Sequence, residues 1–262
     1  MWRYLRVFGL HAQGSLMAAL EYRVGFLAAL GMSLVDALWA VGGAWVFYAH
    51  RPTLGGWRFE ETLVVVGLFF LASGFLDALL QPNLRLLIER IRTGQLDYML
   101  IRPLNPMAYA TMQRQRFEKL SSAWVGLALI GVALMRAPKP PTLSSVLSFA
   151  ALLLLALLLL YALMALLMAL CFWAVDLTNV EELLFGTLET ARYPVQAFPE
   201  PLRAVLSFVV PIAFVSTVPA EALLGRPNWA LAGYGLAVTL GLLLLSRLAW
   251  RAALRQYCGI GG

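Results

Sequence analysis

Four charged residues stand inside long apolar stretches, where their side chains could do chemistry. Asp36 and Asp77 occur singly, whereas Glu189 and Arg192 are three residues apart and share a face if their segment is helical. A carboxylate in apolar surroundings can bind a cation or carry a proton, and it is costly without a partner. A single acid does not form a proton relay. We therefore expect Asp36 to hydrogen-bond across a helix or subunit interface, and Glu189 and Arg192 to form a structural pair.

Other kinds of chemistry find no support in the sequence. A phosphate-binding loop needs a Gly-Lys-Ser/Thr step, and neither of the two lysines, Lys119 and Lys139, follows a glycine. The two histidines are far apart in the chain, and Cys171 and Cys258 lack metal-ligand spacing. We expect no catalytic residue, bound cofactor or metal site on this chain.

The composition indicates a membrane protein. Of the 262 residues, 61% are hydrophobic and 13% are charged, and the mean hydropathy is +0.78. Soluble domains carry about a quarter charged residues, so the expected class is an all-α polytopic membrane protein in one domain, 1–262. The formal charge of +6 comes from residues clustered between apolar stretches, so it does not indicate nucleic-acid binding.

Six segments are predicted to cross the bilayer, after an amphipathic N-terminal helix over residues 1–23 that lies in the cytoplasmic interface. Pro82 is expected to bend the chain at the end of the second segment. Thirteen Lys and Arg residues fall on the side of the termini and seven on the other, which predicts cytoplasmic termini. The six predicted spans are 24–48, 61–82, 117–135, 144–173, 179–195 and 229–250.

A proline-punctuated stretch, 200–223, precedes the last span. Its apolar pieces are too short to cross a bilayer, and we expect breaks at Pro211 and Pro219. Such irregular backbone is tolerated at membrane depth only where protein buries it, so the stretch is predicted to be a re-entrant helical hairpin. Its marker residues are Pro199, Pro201, Pro211 and Pro219.

The polar loop 84–116 between the second and third spans is the most distinctive feature. A helical pattern continues inward from Leu84 and is expected to end at Gly94. A short segment then places Leu96, Met99 and Leu100 on one side, with Asp97 on the other. Exposed apolar side chains favour a protein contact, so this segment is predicted to sit in a groove of a cytoplasmic partner.

At these residues the sequence resembles the ABC-2-type permeases, the membrane subunits of type-2 ABC exporters. The segment Gly94-Gln-Leu-Asp-Tyr-Met-Leu-Ile-Arg-Pro103 is similar to their Gly-x-Leu-Asp/Glu-x-x-Leu-x-x-Pro signature. The resemblance extends through 192–199, 210–220 and 250–257, and departs from the family only at Cys258-Gly-Ile-Gly-Gly262.

The resemblance implies a transport subunit that is not itself an enzyme. It implies that two cytoplasmic ATPase subunits bind ATP and Mg²⁺, that a second permease (the same chain or a homologue) joins through the first and fifth spans, and that alternating access moves a cargo outward. The apolar lining implied by the composition favours an amphipathic or lipid-like cargo. The expected location is the bacterial plasma membrane, in contact with membrane lipid and no nucleic acid. The residues implied to couple to the ATPase are Gly94, Gln95, Leu96, Asp97, Met99, Leu100, Arg102 and Pro103.

Two other classes of function stay open. A proton-coupled carrier would be favoured by an inverted internal repeat, and we find no convincing one. A membrane-embedded enzyme would use Asp36, Asp77 or Glu189, and the sequence offers no second catalytic group beside them.

Overall fold

The computed structural model describes residues 2–21, 23–101, 104–137, 139–173 and 178–256. Within these ranges the chain is helical, and its only strand-like pairing is a single bridge between Leu54 and Trp57. The all-α prediction is confirmed. The α-helices are α1 Trp2–Glu21, α2 Arg23–His50, α3 Phe59–Phe75, α4 Gln81–Arg92, α5 Asp97–Leu100, α6 Pro106–Ala110, α7 Leu120–Arg136, α8 Leu143–Leu170, α9 Thr178–Leu188, α10 Glu200–Ala204, α11 Thr217–Leu223 and α12 Trp229–Gln256.

Among the described residues, five helices are long and apolar enough to cross a membrane, and a bent pair of shorter helices could serve as a sixth crossing. The chain is therefore a polytopic membrane protein, as its composition predicts. The interfacial position of α1 stays a prediction. The five candidates are Val24–His50, Phe59–Arg92, Phe117–Arg136, Leu143–Leu170 and Trp229–Gln256.

The second span continues through Pro82, so the expected bend there is wrong. Helices α3 and α4 join through a π-helical turn, Leu76–Leu80, into one helix of 34 residues. Pro82 has no N–H to donate to the carbonyl of Ala78, four residues earlier. The backbone N–H of Arg116 donates to that carbonyl instead, at 2.8 Å. Because the Ala78 carbonyl is hydrogen-bonded by a residue outside the helix, the helix continues past Pro82 to Arg92.

Small residues allow α3 and α7 to pack backbone against backbone. A Cβ atom built on Gly126 would lie 2.3 Å from the carbonyl oxygen of Gly67, and one on Gly67 would lie 2.7 Å from that of Gly126. A larger side chain at either position would push the helices apart. Close approach at small residues is a common way for helices to associate where lipid removes most of the hydrophobic driving force.

The predicted fifth span, 179–195, is not one helix. Helix α9 has 11 residues and is about 16 Å long, short of the roughly 30 Å of a hydrocarbon core. A 3₁₀ turn, Glu189–Arg192, follows it, and the chain is extended at Tyr193 ahead of Pro194.

The stretch 200–223 contains two short helical limbs, Glu200–Val209 and Ile212–Leu223, that meet at an angle of 74°. The break falls at Pro211, as expected. Pro219 does not break the second limb, because it lies in the first turn of α11, where a missing N–H costs little. Residues 211–220 are all buried, which fits a segment enclosed by protein.

Candidate functional site

The central loop begins with a complete glycine C-cap on α4. Gly94 has φ +68°, a left-handed conformation that other residues rarely adopt. Its N–H donates to the carbonyl of Ile91 at 3.3 Å, and the N–H of Gln95 donates to that of Arg90 at 2.9 Å. These two bonds form the Schellman motif, so the expectation that Gly94 ends the helix is confirmed. The cap fixes the direction in which the chain leaves the long helix.

The short helix α5 turns a different face outward from the one predicted. Leu96 and Met99 are 0% and 2% exposed and pack into the core of this chain, so they do not form a free docking face. The exposed side of the same turn carries Tyr98, 73% exposed, and Ile101, 79% exposed. Of the other predicted coupling residues, Gln95 is exposed and Asp97 is half-buried. The side chain of Leu100 lies outside what the structure describes, and so do Arg102 and Pro103.

Asn83 fastens the returning end of the loop to the long helix. Its Nδ2 donates to the carbonyls of Leu79 and Arg114 at 2.7 and 2.8 Å, and its Oδ1 accepts from the N–H groups of Gln113 and Arg114 at 2.9 and 2.8 Å. All four hydrogen-bonding positions of this buried amide are used. The sequence analysis did not predict a role for Asn83. The one signal for it in the sequence is an uncharged polar side chain directly after Pro82 in an otherwise apolar helix.

The N-terminal helix α1 also touches the loop. The ring of His11 meets the ring of Tyr109 edge to face, with centroids 6.0 Å apart. Ser15 donates to the side-chain oxygen of Gln115 at 3.3 Å. Contacts from α1, α4 and the core therefore hold the loop in one arrangement, with Tyr98 and Ile101 projecting from it.

Deeper in the helices, the four charged residues singled out in the sequence line one cavity of about 160 Å³. Glu189 and Arg192 form the expected ion pair at 2.6 Å. The Arg192 guanidinium also stacks over the ring of Phe69, with its carbon 4.9 Å from the centroid, while its buried Nε has no hydrogen-bond partner among the described residues. The charged lining residues are Asp36, Asp77, Lys119, Glu189 and Arg192.

Asp36 and Asp77 differ in how they are surrounded. Asp77 is half-buried, and Lys119, Arg116 and Arg85 are its electrostatic neighbours. Asp36 is exposed on α2 and makes no hydrogen bond or ion pair with a described residue. The Asp36 carboxylate is therefore accessible to a group from outside the chain, and in a membrane-spanning helix it would be costly without one.

Comparison with protein families decides the class. The family described as "ABC-2 family transporter protein" matches residues 38–261, which include the central loop, the bent pair and the part of the charged cavity formed by Asp77, Glu189 and Arg192. The chain belongs to the ABC-2 transporter family. It is thus a permease, the membrane transport subunit of an ABC transporter, and its family implies ATPase partners. No curated protein and no solved structure matches this ABC-2 permease.

At the other end of the ABC-2 permease, a chain of polar contacts ties the bent pair to the loop after α2. The indole N–H of Trp57 donates to Gln196 at 3.1 Å, and the Gln196 amide donates to Glu221 at 2.9 Å. Arg226 lies over the Trp57 ring at 4.4 Å and pairs with Glu61 at 3.1 Å. These contacts hold the bent pair against the loop after α2 and the start of α3, at the end of the long helix away from the central loop.

Within the described part of the ABC-2 permease, no group of three or more His, Cys, Asp or Glu side chains could hold a metal ion. Positively and negatively charged side chains lie side by side in the cavity. Such a lining suits polar or charged groups of a bound molecule.

Proposed function

We propose that the chain is the membrane subunit of an ATP-driven exporter that moves an amphipathic cargo outward across the bacterial plasma membrane. Two cytoplasmic ATPase subunits, which bind ATP and Mg²⁺, act on a pair of permeases by alternating access. Both termini lie in the cytoplasm. The observation that supports this most is the central loop, a braced segment that presents Tyr98 and Ile101 beyond the end of a helix about 50 Å long.

The geometry suits transmission of force. A hydrocarbon core is about 30 Å thick, so a helix of about 50 Å extends well beyond it on one side. The glycine cap at Gly94 and the Asn83 clamp fix the loop on that extension. A push on Tyr98 and Ile101 would therefore move α3 and α4 as one body, which is the kind of rigid-body shift that opens and closes a pathway.

The cavity and its surroundings support an amphipathic cargo. The sequence favours an apolar lining, but the cavity carries five charged side chains together with Phe69, Phe70 and Leu76. A molecule with a polar head and an apolar body would satisfy both sets of groups. We therefore keep the amphipathic cargo and assign its polar part to this cavity.

A second permease subunit would complete the assembly at α2. Only a small share of this helix is buried in the chain, and Leu38, Trp39 and Trp45 project from it. The unpaired Asp36 lies on the same helix. Burial of this surface against a second copy or a homologue would give the carboxylate a protein partner in place of lipid.

The test is capture of the ATPase through the outward face of α5. We expect the tagged wild-type chain to co-purify with a polypeptide carrying a nucleotide-binding loop, identified by mass spectrometry. The double variant Tyr98→Asp, Ile101→Asp should weaken that association by about 2 kcal/mol, roughly thirtyfold, because two charges would be desolvated in the contact.

A matched control places two aspartates on another exposed region, the end of α12, as Ala252→Asp, Arg255→Asp. This control should retain the ATPase. Equal recovery of the ATPase with the Tyr98, Ile101 variant and with the wild type would refute the assigned contact.

A further inference from the structure

A second cavity, of about 860 Å³, opens on the side of the central loop. We refer to it as the basic cleft, and it lies between α1, α2, the start of α4 and the chain at 114–119. Four cationic side chains line it, and Glu118 is its one described carboxylate. The cations are Arg85, Arg114, Arg116 and Lys119.

Not all of these charges are neutralised within the chain. Arg116 pairs with Glu118 at 2.8 Å, and Arg85 pairs with Glu181 at 3.2 Å. Arg114 and Lys119 form no ion pair with a described side chain, although Asp77 is an electrostatic neighbour of Lys119. The excess of positive charge in a concave space favours an anion.

The wall opposite the cations consists of small residues. Ala19, Gly25 and Ala28 leave it open, and a Cβ atom built on Gly25 would meet nothing within 4 Å. The cleft therefore has room for a group that the chain itself does not supply. Small side chains on this wall can also lie alongside an acyl or aryl chain.

The basic cleft adjoins the charged cavity. Ala29, Met32 and Lys119 line both spaces, so Lys119 stands at the junction between them. A group held in the cleft could pass from the level of the central loop toward Asp36 and Arg192 without leaving polar surroundings.

We propose that the basic cleft binds the anionic head group of an amphiphile from the cytoplasmic leaflet, with Arg114 and Lys119 as its main contacts. The orientation and the link to transport rest on the proposed function; the binding itself does not. An amphiphile with a phosphate head group can reach the cleft either as a resident membrane lipid or as cargo, and the two sources share this chemistry.

The test measures binding of fluorescent short-chain phosphatidylglycerol and phosphatidylcholine to the purified full-length chain in neutral detergent, without ATPase or ATP. We expect the wild type to prefer phosphatidylglycerol. Arg114→Gln, Lys119→Gln should reduce that affinity roughly thirtyfold, as expected for the loss of two cations near an anionic head group, and leave the affinity for phosphatidylcholine unchanged. The control Arg251→Gln, Arg255→Gln removes two cations from exposed positions at the end of α12 and should bind as the wild type.

A second pair of variants tests whether the lipid needs the open volume of the basic cleft, separately from its positive charge. Gly25→Leu should fill part of the cleft and weaken phosphatidylglycerol binding, whereas Gly31→Leu, on the same helix in open space outside the cleft, should not. Equal affinity for the two lipids, or wild-type binding by both the charge variant and Gly25→Leu, would overturn the proposal.

Transport then distinguishes the two sources. In proteoliposomes containing the complete transporter, ATP-dependent appearance of labelled phosphatidylglycerol in the opposite leaflet would assign the head group to cargo. Binding without movement would assign it to a resident lipid. Because binding is measured without the ATPase, a failure of the cleft is separable from a failure of the exporter proposal.

Discussion

At the scale of single residues, Asn83 shows how a polar side chain can organise a membrane protein. It is 1% exposed and satisfies three backbone groups of the returning chain as well as one of its own helix. Each of those groups would be costly if left unpaired away from water. The sequence marks Asn83 as an amide in an apolar helix but does not show its partners, because they lie 30 and 31 residues further along the chain.

We predict that Asn83→Leu destabilises the folded chain by about 3 kcal/mol or more, since three backbone groups of Gln113 and Arg114 would lose their partner. Thermal unfolding in detergent measures the loss. Limited trypsin digestion should show faster cleavage after Arg114 and Arg116. Asn228→Ala, which removes an exposed cap on Leu231, should cost about 1 kcal/mol or less. Unchanged stability and cleavage in Asn83→Leu would contradict the clamp.

At the scale of elements, most of the spans follow from composition because bilayer thickness sets a length that long apolar runs must reach. Composition does not predict that the helix continues through Pro82. The carbonyl of Ala78, which loses its usual partner there, accepts a hydrogen bond from the backbone N–H of Arg116, far along the chain. The prediction that Leu96 and Met99 form the outward face of α5 is also wrong. The sequence of a short helix shows which side chains share a face, but the surrounding core determines which face is buried.

The contact between α3 and α7 gives a sharp element-scale prediction. Gly126→Leu should destabilise the protein by about 3 kcal/mol, because its side chain would collide with the backbone at Gly67. Gly131→Leu is the matched control on the same helix, where a Cβ atom meets nothing within 4 Å. Melting temperature and yield of monodisperse protein report the effect. Similar melting of the two variants would show that the helices are not so closely packed.

The bent pair predicts a pattern of cysteine labelling. In a background lacking Cys171 and Cys258, a cysteine at Leu202, which is 41% exposed, should react with a membrane-impermeant maleimide added from outside cells. A cysteine at Ile212, 2% exposed, should stay unreactive. Labelling of Leu202→Cys only in inverted vesicles would place the pair on the cytoplasmic side and contradict the proposed topology.

At the scale of the whole molecule, the two adjoining cavities share Ala29, Met32 and Lys119 and extend from the central loop into the helices. The sequence identifies the loop and each of the four charged residues, but not their meeting in one cavity. Helix α2, the turn between α3 and α4, and the turn after α9 come together only in the fold. The resemblance in the loop and the family match over residues 38–261 agree on the class.

The proposed function depends most on an ATPase that contacts the outward face of α5. The most direct measurement places a photoreactive benzoylphenylalanine at Tyr98 in living cells and identifies what it captures on irradiation. A matched site at Trp39, 76% exposed, reports the α2 surface that is proposed to meet a second permease. We predict an adduct with the ATPase from Tyr98 and none from Trp39. An adduct from Tyr98 that contains only lipid or a second copy of this chain, with no ATPase, would refute the proposed contact between α5 and the ATPase.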